Sequence, residues 1–442
     1  MGTQYYAPQA VYITKFDVDG NSGEQLDFAL PKRAGKDATV LKVITGVNKL
    51  YVFSYIAVKK DKKNVLYAQV YDNVSGTVLE TKEIYTLPIE KVNKSGFFNV
   101  EMSQDKNTLA VLINKPFVKK TKEKIETLIL DTALNILSNN NYILSFDSNR
   151  ANRETFFVEN DGTITLIKKT DVFKKEPVTT AITIKGDQLT AQTISANKFY
   201  ISDNKVITIN NKQYLLGFAT DNAKPTVSMG GAKDKSFFIY NLSDKKLIKN
   251  QGWNDAILKK VLGKGFLHLT VKYVIVKAES IYLVGDCFKE ESKAIEGKNF
   301  EYNYSYSFGP GVVVELNTNG DVAFDSFLKY GEGYKNEMKR IGSFKPIIKN
   351  NDIYFLGNEK LSILEDKKVV FGNDNINAKV IVARRLGSNG YFSTIPFKSG
   401  IVGGKGTTVD FAPTQTIRLN EKTFYVYAFG NKYQAFGRMT ME

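Results

Sequence analysis

The sequence holds a single histidine, His268, and a single cysteine, Cys287. A Ser-His-Asp or Cys-His arrangement needs an imidazole beside its nucleophile, so such pairings have very few ways to form here. His268 stands in FLHLTVKYVIV between Leu267 and Leu269, which reads as a strand residue facing a neighbouring sheet rather than a general base. One cysteine permits neither an intramolecular disulfide nor a cysteine metal cluster, and one histidine rules out a His-rich zinc site. No G-x-S-x-G nucleophile elbow is present. The expectation is therefore a chain with no catalytic residues, no metal and no cofactor.

Carboxylates are the remaining source of chemistry, because glycoside hydrolysis needs only two of them across a sugar bond. Asp286, Glu290, Glu291 and Glu301 are candidates, but their spacing singles out no pair. DVDGNSGE (17–24) carries oxygen ligands and a glycine without the glutamate that completes an EF-hand loop, and reads as a hairpin turn. Of the glycine-rich segments SMGGAKDKS (228–236) and IVGGKGTTVD (401–410), the second resembles a phosphate loop but lacks the full G-x-x-x-x-G-K-[ST] spacing. Both read as sharp connections.

The segment NFEYNYSYSFGPG has the most character. Phe300, Tyr302, Tyr304, Tyr306 and Phe308 alternate without interruption. In a strand, a period of two places all five rings on one face. An exposed stripe of this kind is a protein-docking ridge or a sugar-stacking platform, since tyrosine joins apolar area to a hydroxyl. Packed inward, the same stripe is ordinary core. The charged run FKEESKAIEGK (288–298) precedes it, so about 288–310 reads as a long inter-strand insertion.

The elements that would position these residues are strands. Tyr (24) and Phe (29) far outnumber Met (6) and Trp (1), a bias that suits pleated surfaces. A short pattern of strongly β-forming residues recurs as KLYVFSYIA, TLAVLINKP, TFFVEN, QYLLGFAT, SIYLVGDCF, DIYFLGN and TFYVYAFGN, with starts 59, 47, 58, 67, 72 and 71 residues apart. A second strand–turn–strand pattern follows most copies, its turns rich in Asp, Asn and Gly, which accept the positive φ of tight hairpins. Units of about fifty residues that cannot bury both faces alone must stack, as propeller blades do. VYITKFDVDGNSGEQLDFAL (11–30) matches the second half of a unit and TFYVYAFGNKYQAFGRM (423–439) the first half. The expected fold is an all-β, single closed β-propeller over 1–442, with the N- and C-terminal strands closing the ring. The count is seven blades, with six and eight left open. One helical segment is expected in GWNDAILKKVLG (252–263), capped at Asn254.

Net charge is +15, which suggests anionic partners or simply lysine solvating strand edges and loops. Nucleic-acid binding rests on that charge alone and is the weakest of the readings. No stretch approaches the roughly 18 uninterrupted apolar residues of a membrane helix. The start MGTQYYAPQ lacks the form of a signal peptide, a removed one remaining compatible.

The rhythm of IYLVG (281–285) or LYVFSY (50–55), then VVELNTNG (313–320) or QVYDNVSG (69–76), resembles exported propellers of Bacteroidota, as does the Lys/Asn/Tyr-rich composition. DTA (131–133) is similar to the short O-glycosylation acceptor motif of that group. The resemblance implies a periplasmic or outer-membrane-associated accessory or gating protein, as at the type IX secretion translocon, or a glycan binder. WD dipeptides and kelch patterns are missing. The expected function is thus non-catalytic binding of a protein partner, with a carbohydrate-binding propeller, with or without glycoside hydrolase activity, as the alternative, nucleic-acid binding as the second, and a cytoplasmic location still compatible.

Overall fold

The uninterrupted apolar runs fold as strands whose two faces are both covered, and this arrangement organises the chain. The computed structural model describes residues 12–16, 22–27, 29–92, 95–147, 153–170, 178–195, 200–220, 234–261, 269–294, 302–328, 332–335, 343–360, 379–396, 409–418, 422–430 and 434–440. Backbone proximity divides the chain into one unit of residues 1–16 and 22–194 and a second of 17–21 and 195–442.

In the first unit, β1 (Tyr12–Phe16) pairs with β2 (Ser22–Asp27), and β3 (Lys32–Arg33) with β4 (Lys36–Asp37). Three four-stranded antiparallel meanders follow. The first holds β5 (Thr39–Thr45), β6 (Lys49–Val58), β7 (Lys63–Asp72) and β8 (Val78–Pro88). The second holds β9 (Phe97–Met102), β10 (Leu109–Asn114), β11 (Lys122–Leu130) and β12 (Ile136–Asp147). The third holds β13 (Arg153–Val158), β14 (Ile164–Thr170), β15 (Val178–Lys185) and β16 (Gln188–Ile194).

Strand β10, LAVLIN, shows why such runs need no polar alternation. Leu109, Val111 and Ile113 pack with Phe53, Leu66 and Leu87 of the preceding sheet. Ala110 and Leu112, on the other face, pack with Phe156, Leu166 and Ile182 of the following one. A strand buried on both faces loses the period-two signature that a half-buried strand keeps. The outer strand β12 keeps it, with Tyr142 and Leu144 buried and Ile143 exposed.

In the second unit, the first sheet holds β17 (Tyr200–Ile209), β18 (Lys212–Thr220), β19 (Asp234–Asn241) and β20 (Lys246–Gly252). Helix α1 (Asp255–Lys260) comes next, its cap Asn254 accepting from the Ile257 amide at 2.9 Å, as the sequence predicts. Ile257 and Val261 join Trp253, which leans on Phe218 and Phe237 at ring separations of 5.8 and 5.1 Å. A five-stranded sheet contains β21 (Leu269–Lys277), β22 (Ser280–Ala294), β23 (Tyr302–Asn317), β24 (Val322–Leu328) and β25 (Glu332–Lys335). A further meander holds β26 (Lys345–Lys349), β27 (Asp352–Lys360), β28 (Lys379–Leu386) and β29 (Phe392–Pro396). In the last sheet β30 (Val409–Phe411) and β31 (Ile417–Arg418) share one edge of β32 (Thr423–Gly430), and β33 (Gln434–Thr440) takes the other.

Sheets consecutive in the chain again pack face to face, Phe344 and Phe355 against Val284, Phe308 and Val313, and Phe411 and Phe424 against Leu356 and Ala383. Among the described residues, six four-stranded sheets and one five-stranded sheet recur in this all-β chain.

Candidate functional site: the β22–β23 arm and the polar groups beneath it

The arm grows out of an ordinary hairpin. From Ser280↔Asn317 to Asp286↔Gly311, β22 and β23 run as the central strands of their sheet. The register then shifts, so that Phe288 faces Phe308, and pairing continues through Lys289↔Ser307 and Glu291↔Ser305 to Ala294↔Tyr302. The shift leaves Gly309 and Pro310 opposite Cys287, a bulge on β23. Gly311 beside it is obligatory: a Cβ there would lie 2.7 Å from Phe344 Cε1 and 3.0 Å from the Gly285 carbonyl. Past the bulge β25 adds to β23, from Phe308↔Glu332 to Ser305↔Lys335. Much of the stretch expected as a long insertion is therefore paired strand. On the β23 side, tyrosine at every second position from Tyr302 to Tyr306 has the period of a strand.

The five aromatic candidates fall into three groups. Phe300 lies outside the described residues. Tyr302, Tyr304 and Tyr306 occupy same-parity positions on the paired arm of β23, and their side chains lie outside the description. Phe308 is only 4% exposed and packs with Val284, Val313, Leu328, Phe344 and Phe355. The stripe thus ends in the core, because the bulge puts Phe308 on the face that Val313 continues.

Beneath the arm is a polar lock. Asp286 is fully buried, and its Oδ2 accepts from Ser343 Oγ at 2.6 Å with Lys272 Nζ at 3.4 Å. Burial pushes the Asp286 carboxyl up, opposed by Lys272 and the Ser343 hydroxyl. Burial also raises Tyr273 to about 12, its hydroxyl donating to the Phe344 carbonyl at 3.1 Å. Cys287 is buried and its thiol is pushed up by desolvation, which suits packing and not nucleophilic attack. Asp286 is accordingly a tether from β22 to the next sheet. Glu290 and Glu291 are placed only as ladder positions, while Glu301, His268 and most of both glycine-rich segments lie outside the described residues.

A second polar assembly, in the first unit, was not foreseen. Glu154 on β13 stands directly opposite Lys168 on β14. Lys168, fully buried, reaches Glu154 Oε2 at 3.4 Å and is also hydrogen-bonded to Glu123 of β11. Asn99 and Asn114 donate to Glu154 Oε1 at 2.7 and 2.8 Å. Desolvation raises the Glu154 carboxyl, and Lys168 and Asn114 pull it back. Close by, Tyr85 donates to Glu126 at 2.6 Å and Lys115 bonds to both. Buried charge survives only with such partners. The sequence signal was Lys168 itself, on the same strand face as Ile164 and Leu166 where another aliphatic side chain would be expected.

The same device recurs in the second unit, where Asn358 of β27 donates to the Phe411 carbonyl at 2.6 Å and accepts from its amide at 3.2 Å. These groups stitch one sheet to the next: Glu123 and Glu126 each bind a lysine, Glu154 a lysine and two asparagines, and Asp286 bonds through Oδ2. Among the described residues no group of three or more His, Cys, Asp or Glu is placed to hold a metal ion, and no helix is long and apolar enough to cross a membrane.

No protein-family model matches the chain, and no curated protein sequence does either. Solved structures similar to it include the polysaccharide lyase Uly1, at 10% identity over 94% of each chain with a TM-score of 0.38. The β-propeller domain of the Trilobed protease from Pyrococcus furiosus is similar at 14% identity over 73% of this chain and 92% of that one, TM-score 0.33. The WD40 domain of SCAP from fission yeast is similar at 10% identity over 91% and 92%, TM-score 0.31. Likenesses of this degree carry no argument about activity.

Proposed function

We propose that this chain is a single closed propeller of seven blades that binds a protein partner without catalysis, using the β22–β23 arm as its docking element. The observation that carries the reading is the arm, seven residue pairs of ladder continuing past the bulge, from Phe288↔Phe308 to Ala294↔Tyr302. A strand pair of this length with a third strand alongside offers more surface than a turn needs. Tyr302, Tyr304 and Tyr306 recur along it at every second position, and tyrosine is enriched where interfaces concentrate their energy. The recurrence of seven sheets of four or five strands among the described residues supports the blade count. Closure of the ring by the N- and C-terminal strands, and a place at the bacterial envelope in an accessory role, rest on the sequence rhythm and composition.

The test is affinity capture from the native source, followed by titration of the purified captured partner. Wild type is compared with Tyr302→Ser, Tyr304→Ser and Tyr306→Ser combined, after circular dichroism confirms that both fold. Loss of at least about thirtyfold in affinity, roughly one hot-spot residue's worth, supports the arm as the docking element. A partner bound equally by the folded variant sinks it, and a glycan-array signal lost only in the variant turns the arm into a sugar platform.

A further inference from the structure

The first unit separates its charges between the two ends of its sheets. Lys106 Nζ donates to the Gly46 carbonyl at 3.4 Å and the Tyr51 hydroxyl to the Thr132 carbonyl at 2.8 Å. These bonds gather the β5–β6, β9–β10 and β11–β12 turns at one end. Acids close the turns there: Asp105 accepts from the Asn107 amide at 3.1 Å, and Asp131 from those of Ala133 and Asn135, both at 2.8 Å. Asp72 and Asp161 cap the β7–β8 and β13–β14 turns in the same way.

The opposite end is basic. There β6 passes into β7 through Lys59, Lys60, Asp61 and Lys62, and β10 into β11 through a turn carrying Lys119 and Lys120, all exposed. The β3–β4 hairpin lies beside the first turn, because Arg33 reaches Asp61 at 3.1 Å. Glu90 and Lys91, both exposed, follow β8, whose terminal Pro88 pairs with Lys63, so they belong to this end as well, where the lysines outnumber the acids. Asp61 is thus occupied internally, while the lysines at the turn tips project into solvent. The same end carries three exposed apolar side chains, Val92 at 41%, Phe97 at 47% and Val118 at 55%. Phe97 is the first residue of β9 and pairs with Asn114, which fixes it at the basic end.

We propose that this end of the first unit docks on an anionic lipid surface, the lysines meeting headgroup phosphates while Val92, Phe97 and Val118 enter the headgroup boundary. The inference is independent of the arm and of its partner. Lysine is a hydrated point charge suited to any diffuse anionic layer, so the choice of a bilayer over a duplex rests on the apolar side chains beside it. Arg33 is held by Asp61 and Glu83. A duplex would also leave two valines nothing to bury in, while a bilayer boundary takes them up. Each lysine near an anionic leaflet adds to the attraction, and salt screens it.

The experiment is co-sedimentation of the full chain with phosphatidylcholine vesicles, with and without phosphatidylglycerol, at low and high salt. Two variants change exposed side chains only: Lys59→Glu, Lys60→Glu, Lys119→Glu and Lys120→Glu combined, and Val118→Ser. The control reverses two exposed lysines on a turn of the second unit, Lys245→Glu with Lys246→Glu. Binding confined to phosphatidylglycerol vesicles, weakened by salt, cut at least about tenfold by the quadruple variant and measurably by Val118→Ser, supports the proposal. The control should bind like wild type. No binding by wild type, or equal loss in the control, overturns it. So does duplex DNA that binds more tightly than vesicles and is indifferent to Val118→Ser.

Discussion

Asp286 shows how one buried side chain ties chemistry to stability. Its carboxyl, inside a shell of Ser343 and Lys272, is pushed above its ordinary 3.8 chiefly by burial. Over the window between that value and the raised one, the folded chain keeps a proton that the unfolded chain has released. A raised carboxyl therefore contributes stability that is fully present below the ordinary value and lost as pH climbs through the folded one. Asparagine removes the titration and keeps an oxygen for the Ser343 hydroxyl. In urea titrations, the stability of wild type relative to Asp286→Asn should be highest in acid and fall as pH climbs above the ordinary carboxylate value. A difference that stays flat with pH would show that the folded carboxyl is not raised.

At the scale of elements, the bulge on β23 decides what the arm can present. Without it Phe308 would fall on the opposite face from Val313, and the aromatic positions would leave the register of the core face. Gly311 makes the bulge possible by leaving room for the Phe344 ring. Gly311→Ala should cost about 1–3 kcal/mol, the usual range for forcing a methyl into a filled core. Denaturation midpoints measure this, and Phe344→Leu in the same chain should recover part of the loss by vacating the ring. A neutral Gly311→Ala would mean that the Phe344 ring gives way without cost and that the bulge does not require glycine there.

For the molecule as a whole, the closed-ring reading makes a cooperative prediction. Trp253, the sole tryptophan, sits in the second unit against Phe218 and Phe237, so its fluorescence reports on that unit. Far-UV circular dichroism reports on every sheet. Leu112→Ala in the first unit leaves a cavity between two sheets and should cost about 2–5 kcal/mol. In a single ring, the Trp253 and circular dichroism transitions of this variant coincide and both move down. A Trp253 transition that stays in place would mean that the two units unfold independently.

Much of this architecture is legible in the sequence. The recurring β-rich units became sheets, and the Asn254-capped segment became the one α-helix among the described residues, because local propensity, turn residues and capping act within a few positions of the chain. The scarcity of histidine and cysteine also narrowed the chemistry from composition alone. Three matters were settled only in three dimensions. Phe308 went to the core through a one-residue register shift that alternation cannot announce. Asp286 proved a tether to Ser343, a partner 57 residues away. Glu154 and Lys168 met Asn99, Asn114 and Glu123 because neighbouring sheets stack, and a charge run carries no record of which turns share an end. Spacing along a strand dictates which face a residue takes, whereas what that face meets depends on packing between distant segments.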